Sequence, residues 1–214
     1  MEWLDPAALE RQIAVFCTRW GDFTNPAFIA EELTYKREAA AALRARLSAD
    51  HLRAWIEAGA LEEAKVQIKR ACGGNYAGHS NNLMNPFDVM ALDDAPADTL
   101  VSALYNLLYG DGLFPVRFAA WLTVVRQRSP SCWPVATYFL MNQKPDEYIY
   151  VKAEPFKKLL RQINSPIRWE SHPSAAKYTE LRQLGKALLV QLRPLGATDL
   201  LDVQSFIWTL FPTK

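Results

Sequence analysis

The sequence predicts an all-α protein, about nine helices in a compact orthogonal bundle with at most one short extended segment. Three observations carry that expectation. Apolar residues recur at spacings of three and four along most of the chain, the period of one face of a helix. Helix-starting pairs such as Asp5-Pro6 and Asn25-Pro26, and stops such as Gly21, Gly59 and Gly110, punctuate those runs. The one stretch that alternates, EYIYVK over 147–152, has no second alternating stretch to pair with, so no sheet is supported.

The elements follow in order. Asp5 offers an N-cap oxygen and Pro6 a first-turn ring that needs no amide partner; Leu9, Ile13, Phe16 and Trp20 then form one apolar face, closed by Gly21. From Asn25-Pro26 a long helix runs through IAEELTYKREAAAALRARL, with Glu32 and Lys36 as a favourable i,i+4 pair and Leu33, Ala40, Leu43 and Leu47 as its buried stripe. Ser48 caps the short helix ADHLRAWIEA, Gly59 closes it, and LEEAKVQIKRAC continues to Gly73-Gly74. Asp98 is expected to cap TLVSALYNLLY, which Gly110 ends. Pro115 leads into VRFAAWLTVVRQR, Ser129-Pro130 breaks it, and Trp133-Pro134 begins VATYFLMNQ. Pro155 opens FKKLLRQI, and NSPIRWESHPS is a loop by its Pro, Ser and Asn content. AAKYTELRQLGKALLVQL stops at Pro194 and Gly196, and Thr198 is expected to cap DLLDVQSFIWTL. No internal repeat is detectable. The chain reads as a single helical domain over 1–214. Its one long stretch of low periodicity, Gly73 to Pro96, is where an acidic lobe (1–72) would part from a basic one (97–214).

Composition narrows the function classes. With 50% hydrophobic residues and seven Trp in 214, the chain can build a substantial core, which excludes a disordered segment. The longest apolar stretches, Ala187 to Val190 and Phe206 to Leu210, fall far short of a bilayer span, so no membrane association is expected. MEWLDPAALERQ has acidic residues where a secretory signal would be basic, and reads as a cytoplasmic start. Cys17, Cys72 and Cys132 are odd in number and widely separated, which speaks against a disulfide framework and for a reducing compartment. His51, His79 and His172 lack the spacing of zinc ligands. Neither a metal nor a cofactor is expected.

The net charge of +1 hides a marked asymmetry. Met1 to Pro115 holds 10 Lys/Arg against 16 Asp/Glu, whereas Val116 to Arg168 holds 9 against 3. No basic residue falls between Arg70 and Arg117, a gap that contains Asp88, Asp93, Asp94, Asp98 and Asp111. Such a layout bears on partners and not on fold.

The segment ACGGNYAGHSNNLMNPFD (71–88) gathers the reactive residue types. Cys72 as nucleophile and His79 as base are the candidates for catalysis, because a thiol needs an imidazole beside it to ionise near neutral pH. The plainer reading is preferred: Cys72 packs at a helix end, Gly73 and Gly74 stop the helix, and the asparagines make turns. GGNYAG lacks the Lys-Ser/Thr ending of a phosphate-binding loop, and no G-x-S-x-G elbow accompanies Ser80 and His79. Glu31 with Glu32, and Glu62 with Glu63, read as solvated helix faces.

The basic segment interleaves cations with aromatics, the combination that a nucleic-acid surface needs. Arg126, Arg128, Lys152, Lys157, Lys158 and Arg161 are the candidate contacts, while Trp121, Trp133, Tyr138 and Phe139 are expected in the core.

SPSCWPVATYFLMNQKPDEYIYVKAEPFKKLL (129–160) resembles a degenerate version of the segment of helix-hairpin-helix DNA glycosylases in which a hairpin turn leads into a helix, a Pro-containing loop and an extended piece. SPSCWP stands where that family has glycines, and Val151-Lys152 near where its catalytic aspartate would fall. The resemblance therefore implies the helical scaffold and proximity to nucleic acid without base-excision chemistry. DLLDVQSFIWTL (199–210) is similar to the ending of helical domains that accompany restriction and phage-defence ATPases, with Asp202, Gln204 and Trp208 carrying the likeness. By pattern alone it is an amphipathic helix with Leu201, Phe206, Ile207 and Leu210 inward.

The expected function is that of a non-enzymatic cytoplasmic binding module, contacting DNA or RNA through its basic half or serving as an accessory subunit of a DNA-processing or defence system. Two alternatives stand beside it. One is a protein-interaction or homo-oligomeric subunit in which the acidic Asp88 to Asp111 region meets the basic region of a second copy; the other is a Cys/His-dependent enzyme.

Overall fold

The computed structural model describes residues 3–73, 92, 95–126 and 133–212, and every regular element among them is helical. Helix α1 (Pro6–Trp20) is capped by Asp5, whose Oδ1 accepts from the N–H groups of Ala7 (3.0 Å) and Ala8 (3.2 Å). Asn25 caps α2 (Pro26–Phe28), which passes without a break through a π-helical turn (Ile29–Leu33) into α3 (Thr34–Arg46). The Ile29 carbonyl takes both the N–H and the hydroxyl of Thr34, the hydroxyl at 2.9 Å. One extra residue turns everything downstream by about 100° about the helix axis, a device frequent at functional sites.

Helix α4 (Ala49–Glu57), capped by Ser48, and α5 (Leu61–Gly73) follow. Helix α6 (Ala97–Tyr109) is preceded by Pro96, so the cap lies two residues before the expected Asp98. Asp98 sits instead in the first turn, where the positive end of the helix favours a carboxylate. Then come α7 (Phe114–Arg126) and α8 (Trp133–Gln143).

Residues 148–152, where EYIYVK suggested an extended piece, form no helix and have no partner strand among the described residues; Lys152 takes an extended backbone conformation. Side chains satisfy their backbone instead: the Val151 N–H donates to Thr137 Oγ1 (2.9 Å), and the Ile149 carbonyl accepts from the Tyr178 hydroxyl (3.0 Å). Helix α9 (Ala153–Gln162), α10 (Ala175–Leu192) and, after a 3₁₀ turn (Arg193–Leu195) and the left-handed Gly196, α11 (Leu200–Leu210) complete the chain.

Helix α11 corrects the amphipathic expectation. Every residue from Leu200 to Ile207 is buried, because α1, α8, α9, α10 and the π-helical turn all pack around it. Its cap is Asp199, not Thr198: Asp199 Oδ1 accepts from the N–H groups of Leu201 (2.9 Å) and Asp202 (3.2 Å). The buried side chains form one continuous cluster from Leu4 to Ile207. It includes Trp121, Trp133, Tyr138 and Phe139, as expected of rings at helical spacing. No helix among the described residues is long and apolar enough to cross a membrane.

Candidate functional site

Helix α9 divides its residues cleanly. Phe156, Leu159 and Leu160 turn inward with Pro155, leaving Glu154, Lys157, Lys158 and Arg161 on the outer side. The loop that follows is pinned to the start of α1. Asp5 N–H donates to the Ile163 carbonyl (3.0 Å), Asn164 Nδ2 donates to Asp5 Oδ2 (2.9 Å), and Ser165 Oγ donates to the Trp3 carbonyl (2.8 Å). Asn164 takes the left-handed conformation (φ 48°) that the chain needs to turn here, one that Asn tolerates better than most residues.

Between α9 and this loop opens a cleft of about 450 Å³. Buried Leu160 and Ile167 supply its floor, the half-buried Trp169 ring a wall, and Lys157 and Arg161 its rim. Trp169 packs on Trp133, ring centroids 5.5 Å apart, and Trp133 Nε1 donates to the Glu170 carbonyl at 2.9 Å, which fixes the loop. Lys157 Nζ lies 5.8 Å from the centre of the Trp169 ring.

The electrostatics of this face are one-sided. Glu154 is held below the ordinary carboxylate range, first by a hydrogen bond from Lys157 and then by the charges of Lys157, Lys158 and Arg161. Three cations thus surround one carboxylate. Arg168 is exposed on the loop that follows, where Glu170 pairs with Lys177 (3.6 Å), while Asp5 is occupied in capping α1. Among the described residues Lys158, Arg161 and Arg168 have no ion-pair partner. A second cleft, of about 530 Å³, balances Arg37, Arg44 and Lys144 against Asp146, Glu147 and Asp199. A third, of about 620 Å³, is walled by Ala42, Ala45, Ala54 and Trp55, with Arg46 as its one formal charge beside His51 and Gln67.

The structure brings only part of the expected nucleic-acid set together. Lys157, Lys158 and Arg161 share the α9 face. Lys152 precedes that helix and turns to α11, its Nζ 4.2 Å from the centre of the Trp208 ring. Arg126 is the last residue of α7, and Arg128 and His79 lie outside the described residues. Cys72 is 1% exposed, and burial pushes its thiol well above the usual range, the reverse of what a nucleophile requires. Among the described residues no three His, Cys, Asp or Glu side chains could hold a metal ion.

Sequence reasoning missed a second constellation. Lys36, 1% exposed, donates to Glu32 Oε2 (3.1 Å) and to Ser205 Oγ (2.9 Å). Arg37 spans Asp199 with both terminal nitrogens and reaches Asp202 Oδ1 at 2.6 Å, while Asp202 Oδ2 accepts from the Thr198 N–H (2.7 Å) and hydroxyl (2.8 Å). Glu31, Glu62 and Glu63 are solvated as expected, but Glu32 is the partner of a buried ammonium. Two signals were present. Lys36 falls within the stripe Leu33, Ala40, Leu43 and Leu47, and Asp199, Asp202, Ser205 and Thr209 trace a polar seam down an otherwise apolar helix. These groups tie the π-helical turn and α3 to α11, and none of the described clefts reaches Lys36 or Ser205.

No protein-family model, no curated protein and no solved structure matches this chain.

Proposed function

We propose that this chain is a helical binding module that holds a nucleic acid by its phosphate backbone across the outer face of α9. The observation that carries the reading is the surplus of cations there: Lys157, Lys158 and Arg161 act on one exposed carboxylate, Glu154, and exposed Arg168 follows on the next loop. Cations fixed on one helix face can each neutralise a phosphate and release condensed counterions, which supplies affinity without reading sequence. The likeness of 129–160 to glycosylase scaffolds and of 199–210 to defence-associated helical domains points the same way. A cytoplasmic accessory subunit of a DNA-processing or defence system is the role such a module would fill.

The test is binding of a labelled oligonucleotide as a function of salt. Three or four phosphate contacts give a slope of log affinity against log salt of roughly −2 to −3.5. Lys158→Glu with Arg161→Glu should flatten that slope and weaken binding at every salt concentration. Binding indifferent to salt, or unchanged by the charge reversal, would remove this reading.

A further inference from the structure

We infer that the cleft between α9 and the 163–169 loop takes one unstacked base of a single-stranded polynucleotide, whose backbone runs outside it over Lys158, Arg161 and Arg168. This rests on the reading of α9 as a phosphate-contacting face. It adds strand preference and the part of the nucleotide that enters.

The cleft suits a base better than a phosphate. Its interior is Leu160, Ile167 and the Trp169 ring, and the one carboxylate in its lining, Glu154, already holds Lys157. Among the described residues the cations without an ion-pair partner are Arg161 at the rim, Lys158 on the outer side of the helix and Arg168 on the loop. A polyanion is therefore held outside while its neutral, flat portion faces an aromatic wall. Duplexes keep their bases stacked and offer only edges and phosphates, for which such a cleft has no use; a single strand can turn a base out onto an indole. The wall is firm, since Trp133 backs Trp169 and is itself bonded to the loop backbone.

The same geometry makes the subsite tolerant of sequence. Asn164 Nδ2 is committed to Asp5; Ser165 Oγ donates to the Trp3 carbonyl and accepts from the Ile167 N–H (3.3 Å); Lys157 is committed to Glu154. The Arg161 guanidinium and the Asn164 amide oxygen remain at the exposed mouth, where water competes for a base edge, so discrimination falls mainly to stacking.

The experiment compares a short oligodeoxyuridylate, the matching oligouridylate and a mixed-sequence duplex of equal length, on the full chain at one salt concentration. Both single strands should bind at least about tenfold tighter than the duplex, and Trp169→Leu should cost the single strands roughly tenfold while leaving the duplex unchanged. Trp169→Phe, which restores a ring, should recover most of the loss. Because Trp169 also packs on Trp133, an iodouracil-bearing single strand is photocrosslinked to the unaltered chain in parallel; the adduct should map to Trp169. A duplex that binds equally well, or adducts that map elsewhere, overturns the base subsite and leaves the phosphate reading standing. Absence of binding by all three probes, or indifference of all three to Lys158→Glu with Arg161→Glu, overturns the phosphate reading itself. Single-stranded binding confined to one sugar type assigns the strand as DNA or RNA.

Discussion

Lys36 and Ser205, 169 positions apart, meet at 2.9 Å inside the protein, with Glu32 completing the ammonium's shell at 3.1 Å. A buried charge is tolerated only where its protons are bonded and its charge is matched. The π-helical turn helps to meet that demand, because it sets the phase at which α3 presents Lys36 to α11.

Removing one partner should therefore cost more than removing both. Glu32→Gln leaves the ammonium without its carboxylate and is expected to lower unfolding free energy by about 2–3 kcal/mol. Adding Lys36→Met should recover most of that loss in urea denaturation. A double variant less stable than Glu32→Gln alone would mean that Lys36 stabilises by more than its pairing.

The same lysine predicts a dependence on pH. Burial pulls its pKa down to about 8 from the usual 10.5, against the opposing pull of Glu32 and Asp202. Between those values the unfolded chain holds the proton that the folded chain has released, so this group's contribution to stability rises with pH across that window. Cys72, Tyr35 and Tyr178, whose pKa values burial raises, act oppositely, since above their ordinary pKa values only the unfolded chain ionises. Comparing the unaltered chain with Lys36→Met cancels those shared contributions. The unaltered chain should gain on the variant from about pH 8 to about pH 10; a difference that stays flat would show that Lys36 titrates alike in both states.

Arg37 satisfies two carboxylates that are themselves buried at the start of α11. A lysine offers one ammonium and cannot span both, so Arg37→Lys should destabilise by about 1–2 kcal/mol although the charge is kept. Equal stability of the two chains would show that the planar fork contributes nothing beyond its charge.

Cys72 should be inert in the folded chain. Its burial predicts that a thiol reagent modifies half-buried Cys17 first and reaches Cys72 only at the rate of unfolding. Labelling of Cys72 faster than a free thiol would revive the nucleophile that its burial argues against.

Gly185 lies mid-helix in α10 where a Cβ would come within 3.0 Å of Ile149 Cδ1 on the extended segment. Gly185→Ala should change stability by less than about 1 kcal/mol, the helical gain offset by displacement of Ile149. Gly185→Val should lose at least about 2 kcal/mol by overpacking. A stabilising valine would mean that the extended segment is free to move away.

Much of the architecture is readable in the chain. Asp5-Pro6, Asn25-Pro26 and Ser48 start helices where expected, and Gly21 and Gly110 end them, because capping is local chemistry between a side chain and the next few amides. The sequence shows Glu32 and Lys36 as a pair but not that the pair is covered, since an i,i+4 ion pair has the same spacing whether or not another helix lies over it. Of the site, the cations of α9 were readable; the cleft beside them was not, for it depends on Trp3 and Asp5 at one end of the chain holding a loop near the other.

The sequence by itself determined the helical class, the starts and stops, the aromatic core and the excess of cations over 116–168, all of which follow from local periodicity, capping and composition. Tertiary structure alone decided that Leu200 to Ile207 are all buried, that Lys36 and Arg37 answer the polar seam of that helix, and that Lys157 and Arg161 border a Trp-walled cleft. The physical reason is that burial and charge compensation are properties of neighbours. Those neighbours here stand as far as 169 residues apart in the chain.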